Sequence, residues 1–197
     1  MKVVLATHNA HKVAEFQQIV AKTRPDLEIV AYDGPEPVED GVTFTDNALL
    51  KARAAAAHTG LTALADDSGI CVDVLGGSPG VFSAYWAGQR KDAVANLELL
   101  LDQLHDIADP HRAAHFNSTI ALVTADGDEH VVVGRWPGRL ARAASGGGGF
   151  GYDPIFIPDG QPAGAERTVG DFRADEKQEQ SHRARAFAEL VPLLANL

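Results

Sequence analysis

Leu61-Thr62-Ala63-Leu64-Ala65-Asp66-Asp67-Ser68-Gly69-Ile70-Cys71-Val72-Asp73-Val74-Leu75 is the stretch whose reading decides the fold. Leu61 to Ala65 is a brief apolar run of strand length that terminates in Asp66-Asp67-Ser68-Gly69, and Ile70 to Leu75 resumes as a strand. Ligands of α/β sheets collect at the carboxyl ends of strands, so two carboxylates at such an end are the strongest local signal in the chain. Alternation turns neighbouring side chains to opposite sides, so one of the pair is expected to face a ligand while the other bonds backbone amides. Standing alone, the pair would read as an acidic turn.

Before this stretch, Thr43-Phe44-Thr45-Asp46 matches a capping box with Asp in the Glu position, and the Ala-rich run from Asn47 to Ala57 ends before Gly60. This predicts a helix. Val3 to Ala6 suits a buried strand, Val13, Phe16, Ile19 and Val20 recur at helical spacing, and Leu27 to Tyr32 is a second strand. Between the first strand and helix lies Thr7-His8-Asn9-Ala10-His11-Lys12, where Asn9 is placed to cap and Lys12 falls in the first turn. A cation there opposes the helix dipole, so it calls for an anion close by. Asp33 to Gly41 is an acidic loop containing prolines.

After it, Gly76, Gly77, Pro79 and Gly80 make a tight turn, and Leu97, Leu100, Leu101 and Leu104 mark a helix over roughly 91 to 105. Two β-rich segments near 115 to 124 and 129 to 135 flank Asp126-Gly127 as a hairpin. Beyond Gly146 to Gly149 come Phe150-Gly151-Tyr152-Asp153-Pro154, a strand at Ile155 to Ile157 and a polar stretch to Gln180. A final helix carries Phe187 and Leu190, with Pro192 breaking or kinking it. The pattern predicts an α/β fold: a mixed, twisted β-sheet with flanking helices, residues 1–197 forming a single domain.

The chain has 197 residues, 45% of them apolar, and a formal net charge of −10, which argues against a nucleic-acid polymer or an anionic membrane as partner. One cysteine, Cys71, excludes an intrachain disulfide, and eight scattered histidines offer no zinc spacing. MKVVLATHNAHK is neither a signal peptide nor a membrane span, so the mature chain is expected to begin at Met1 and to work in a reducing cytoplasm. Ser68 and Ser83 lie outside any G-x-S-x-G turn, and Cys71 inside an apolar strand reads as an inert core residue. His115 and His130 read as structural or surface groups. Glu39, Asp40, Asp66 and Asp67 form an all-oxygen donor set that suits Mg²⁺ or Mn²⁺ rather than zinc. Lys12, Lys51, Lys177 and Arg183 are cations near helix ends or loops, and for any single lysine taken alone a solvated surface charge is the commoner reading. The glycines at 146 to 149 match no phosphate-loop spacing, and Pro154 forbids a helix after them. They suit a pliant loop that brings Phe150 and Tyr152 to a flat ligand such as a base, core packing being the other reading of the same rings.

Taken together, Thr7-x-Asn9-x-x-Lys12, Gly41-x-Thr43-Phe44-x-x-Asn47-Ala48-x-x-Lys51-Ala52, Ala65-Asp66-Asp67-Ser68-Gly69, Leu75-Gly76-Gly77-x-Pro79-Gly80, Gly149-Phe150-Gly151-Tyr152-Asp153-Pro154-Ile155-Phe156 and Ser181-His182-Arg183 resemble, in order and over nearly the whole chain, the Ham1-like inosine triphosphate pyrophosphatases. The resemblance implies two lobes around a central active-site cleft, a homodimer, and Mg²⁺-dependent hydrolysis of ITP, dITP or XTP to the monophosphate and pyrophosphate. It implies that Thr7, His8, Asn9, Ala10, His11 and Lys12 hold the triphosphate with Lys51, that Glu39 and Asp67 hold the metal, and that Asp67 is the general base. Ser68 would contact substrate, Asp66 would support, and Phe150, Gly151, Tyr152, Asp153, Lys177, His182 and Arg183 would hold the base. Cationic or amide donors there would select the 6-oxo edge of hypoxanthine and xanthine over the amino edge of adenine.

Three positions depart from the family's usual pattern: Asp46 stands where Glu is usual, Thr7 replaces the commoner Ser of some relatives, and His8 sits where many have a small residue. Two other functions fit the same residues. A nucleotide sensor would bind without cleaving, and a phosphatase would release inorganic phosphate.

Overall fold

The computed structural model describes residues 1–22 and 24–195, and the side chains of His11 and Glu15 stand outside that description. The elements are β1 (Lys2–Leu5), α1 (Ala10–Ala21), β2 (Glu28–Ala31), α2 (Phe44–Thr59), β3 (Ala63–Val72), α3 (Ala93–Gln103), β4 (Ala113–Val123), β5 (Glu129–Leu140), β6 (Phe156–Pro158), α4 (Ala174–Gln180) and α5 (His182–Leu194). The strands follow the order β2-β1-β3-β4-β5-β6, with β1 parallel to both β2 and β3 and β6 antiparallel to β5. The sheet is therefore mixed, as the pattern predicts.

The chain divides into two compact units, the first made of Met1–Asp67, Ser118–Gly134 and Ala184–Leu197, the second of Ser68–Asn117 and Arg135–Arg183. In the first, Val3, Leu5, Leu64, Ile120 and Leu122 pack on Phe16 and Val20 of α1 and on Phe187, Leu190 and Leu194 of α5. A second face sets Ala65, Ala121 and Val123 against Ala48 and Ala52 of α2, and the small alanines let helix and sheet approach closely. The β3 pleat thus separates its residues by face. Leu64 lies with α1 and Ala65 with α2, and Asp66 and Asp67 continue the same alternation.

Here the structure corrects the sequence reading. β3 does not stop at Asp66; it runs unbroken through Asp66-Asp67-Ser68-Gly69, and only Asp73–Leu75 leaves the strand, as a 3₁₀ turn. The carboxylates are tolerated inside a strand because each meets a lysine from the helix on its own face. Three further corrections concern local structure. The polar stretch before Gln180 contains α4, β5 continues to Leu140, and α5 passes through Pro192. Burial of Phe187, Leu190 and Leu194 carries that last turn past the proline.

The α2 cap forms as predicted on one side, the Thr43 hydroxyl oxygen accepting the Asp46 N–H at 3.1 Å. The return bond differs: the Asp46 carboxylate accepts from the Thr43 hydroxyl at 2.7 Å. Gly60 closes the helix in the left-handed conformation.

The second unit has its own core, in which Ile70, Val72, Leu100, Leu104, Phe116, Trp136, Tyr152 and Phe156 pack together. Buried Arg112 donates to the carbonyls of Leu104 at 2.6 Å, Leu140 at 3.0 Å and Ala141 at 2.8 Å, which pins the C-terminal end of α3 to the end of β5. Cys71 is buried, and burial pushes its thiol above the ordinary value, the opposite of what a nucleophile needs.

Candidate active site

In the first unit the loop after β1 turns tightly, the Thr7 hydroxyl accepting the Asn9 N–H at 3.1 Å and the Asn9 side chain accepting the Lys12 N–H at 3.3 Å as the cap of α1. Lys12 therefore occupies the first turn, as predicted, and its anion is Asp66: the ammonium lies 3.2 Å from Oδ2. The Ser118 hydroxyl donates to Oδ1 of the same carboxylate at 2.7 Å. Asp66 is thus held by side chains from two other segments of the chain.

Asp67, on the opposite face, meets α2. Lys51 reaches its Oδ1 at 3.0 Å, the Asp66 carbonyl at 3.1 Å and Glu39 Oε2 at 3.4 Å, so one ammonium gathers two carboxylates from separate segments. Burial pulls the Lys51 proton affinity down, but Asp67 and Glu39 outweigh it and hold the group above its ordinary value. For Asp67, burial dominates and lifts the carboxyl above its ordinary value against the pull of Lys51. A carboxyl so lifted suits proton transfer nearer neutral pH. Thr7, Lys12, Glu39, Lys51 and Asp66 line a concavity of about 100 Å³ that brings two ammonium and two carboxylate groups to one place.

Among the described residues no group of three or more His, Cys, Asp or Glu side chains is arranged to hold a metal. Glu39 and Asp67 nevertheless converge on the Lys51 ammonium, so both can reach one cation. Two carboxylates are the usual protein share of a Mg²⁺ site whose remaining ligands are phosphates and water.

His8 stands beside residues that line this concavity. Its Nε2 lies 3.0 Å from the Gly34 carbonyl, its Nδ1 3.4 Å from Glu36, and its ring stacks on Tyr32 at 5.9 Å. Ala10 opens α1, and the His11 side chain falls outside the described residues.

In the second unit, Asp153 is 2% exposed and its Oδ2 accepts from the Phe150 N–H at 2.7 Å and from Lys177 at 2.6 Å. The loop wraps this carboxylate so closely that a Cβ on Gly149, whose φ is +74°, would stand 2.1 Å from it. The Lys177 ammonium lies 4.3 Å from the centre of the Phe150 ring, which is 68% exposed. Tyr152 parts from Phe150: its ring is buried in the core, its hydroxyl donates to the Ser83 carbonyl at 2.8 Å, and burial pushes the phenol well above its ordinary value. Of the two aromatic rings expected at a flat ligand, Phe150 is exposed and Tyr152 is buried. His182 and Arg183 open α5, both buried, with the imidazole stacked on Phe116 at 4.9 Å. Gly151 takes a left-handed φ of +59°, and Ser68 is half-buried in β3.

Two residues near the carboxylates had no role in the sequence reading. Ser118 lies 52 residues from Asp66 and gave no local signal. Asn47 stood within a motif, where the paired Gly41 was the available cue.

An α/β sheet whose pleat divides two adjacent carboxylates between two lysine-bearing helices is of a class suited to phosphate chemistry. The particular family follows from comparison. The model of the Ham1 family matches residues 3–193, and the chain belongs to that family. It is 61% identical over 197 residues to a dITP/XTP pyrophosphatase of Leifsonia xyli subsp. xyli, covering 100% of this chain and 97% of that protein. Among solved structures it is similar to the Ham1 protein of Staphylococcus aureus, with TM-score 0.88, 34% identity and coverage of 100% and 99% of the two chains. It is also similar to a nucleoside-triphosphatase / dITP/XTP pyrophosphatase from Mycobacterium abscessus, with TM-score 0.81, 46% identity and coverage of 98% and 100%.

Proposed function

We propose that the chain hydrolyses keto-purine nucleoside triphosphates, ITP, dITP and XTP, to the nucleoside monophosphate and pyrophosphate. The observation that carries this reading is the convergence of Glu39 and Asp67 on the Lys51 ammonium beside the Lys12–Asp66 pair. Membership of a family with relatives named dITP/XTP pyrophosphatases supports the substrate class.

Glu39 and Asp67 would hold Mg²⁺, which when bound neutralises phosphate charge and polarises the phosphorus centre. Lys12 and Lys51 hold phosphate oxygens, aided by the amides at the α1 N-terminus. Asp67, lifted by burial, accepts the proton of the attacking water. Phe150 offers a face on which a purine stacks, and Lys177 with the opening residues of α5 supplies donors for a 6-oxo group.

Lys12→Ala is expected to raise KM for the triphosphate more than it lowers kcat, and an unchanged KM would remove Lys12 from phosphate binding. Phe150→Ala is expected to raise KM by about 5- to 150-fold, since a stacked base contributes about 1–3 kcal/mol. Equal KM values for the two proteins would remove the stack. Comparing kcat/KM for ITP, XTP and dITP with that for ATP and GTP tests the substrate class, and a preference for ATP would refute it.

The net charge of −10 supports a small-molecule substrate over a nucleic acid or a membrane, and no helix among the described residues is long and apolar enough to cross a membrane. A cytoplasmic homodimer is the assembly and compartment we read from the family; sedimentation at the monomer mass would refute the dimer.

A further inference from the structure

Asn47 is 2% exposed in the first turn of α2, and no step above uses it. Its carboxamide oxygen accepts the Gly41 N–H at 2.9 Å, and its nitrogen donates to Asp67 Oδ2 at 3.4 Å. These partners fix the amide's orientation, because a half-turn would set NH₂ against an N–H and oxygen against a carboxylate. A circuit results. From Gly41 it passes through Asn47 to Asp67, then through Lys51 to Glu39, two residues before Gly41. The chain at Gly41 is pressed against the amide: a Cβ there would stand 2.5 Å from Asn47 Oδ1 and 2.7 Å from Asp46 Cβ.

We propose that Asn47 is a positioning residue, a strut that sets the spacing between the Glu39-bearing segment and Asp67 so that the two carboxylates serve one divalent cation. The inference rests on the reading of Glu39 and Asp67 as the metal-holding pair. The residue type follows from the two contacts. Aspartate would supply the acceptor for Gly41 but face Asp67 with another anionic oxygen, serine is too short to span both, and leucine fills the volume with neither donor nor acceptor. Partners that orient metal ligands in this way commonly govern affinity by about 10- to 100-fold.

The test is direct Mn²⁺ binding, by calorimetry or electron paramagnetic resonance, to the full chain without nucleotide. Asn47→Leu is expected to weaken binding by about 10- to 100-fold. Turnover with ITP should then show a fallen kcat, with KM within about twofold of the parent at saturating Mg²⁺. Gly41→Ala acts on the other end of the strut and should weaken Mn²⁺ binding in the same direction. Ala55→Gly, buried on the same helix but remote from the strut, should bind Mn²⁺ as the parent does while lowering the melting temperature. Parent-like Mn²⁺ binding in either Asn47→Leu or Gly41→Ala overturns the strut, as does an equal loss in Ala55→Gly, which would mark a stability effect. A parent chain that takes up no Mn²⁺ either alone or with inosine monophosphate and pyrophosphate supplied to complete the ligand set refutes the metal pair itself, and the strut with it; that outcome is recognised before any variant is compared.

Discussion

Asp67→Asn is expected to cut turnover by about 10²- to 10⁴-fold while the chain stays folded. The substitution keeps the side-chain volume and removes both the proton acceptor and one of the two charges that would hold the metal. Stability should survive for a reason that lies in the sign of the pKa shift. Burial holds the Asp67 carboxyl above its ordinary value, so its ionised form costs more in the folded chain than in the unfolded one. For an acid raised in this way, stability is greatest below the unfolded value and falls as pH rises through the interval up to the folded value. A neutral isostere at pH 7 therefore forfeits no stabilisation from ionising this group, and Lys51 keeps Glu39 and the Asp66 carbonyl as partners. Steady-state kinetics paired with a thermal melt checks both halves. Activity within tenfold of the parent would remove Asp67 from the chemistry.

Arg112→Met is expected to destabilise the second unit by about 1–3 kcal/mol, the cost of leaving buried carbonyls without a donor. Methionine approximates the length and the apolar stem but donates nothing, so the carbonyls of Leu140 and Ala141 lose the guanidinium as donor, while that of Leu104 keeps the Ile107 N–H. Each unsatisfied buried acceptor costs about 1–3 kcal/mol. The arginine also sets positive charge at the C-terminal end of α3, where the helix dipole favours it. Urea denaturation gives the difference, and a loss below about 1 kcal/mol would mean that these carbonyls find other donors.

Elements with a strong period were legible in the sequence. Val13, Phe16, Ile19 and Val20 placed α1, the Thr43 cap and Gly60 bounded α2, and the Asp126-Gly127 turn centred the β4–β5 hairpin. β3 was misread as two strands because Asp-Asp-Ser-Gly is turn chemistry locally, and only partners 54 and 16 residues away make it strand chemistry. α4 was missed for the opposite reason: Ala-Asp-Glu-Lys-Gln-Glu-Gln is polar all round and carries no apolar period. Alternation did place Asp66 and Asp67 on opposite faces, one meeting Lys12 of α1 and Ser118, the other meeting Lys51 of α2. The Phe150–Tyr152 pair could not be divided from sequence, since burial of one ring and exposure of the other depend on the Ser83 carbonyl, far along the chain. The contacts of His8 with the Gly34 carbonyl and Glu36 were not legible either, since they join it to a loop 26 residues away.

The measurement that bears most directly on the central claim is a product-resolved assay of ITP with Mg²⁺, separating pyrophosphate from inorganic phosphate and IMP from IDP. One pyrophosphate and one IMP for each ITP consumed, with loss of both in Asp67→Asn, is the predicted result. Inorganic phosphate with IDP would make the enzyme a phosphatase, and ITP bound but left intact would make it a sensor; either contradicts the account.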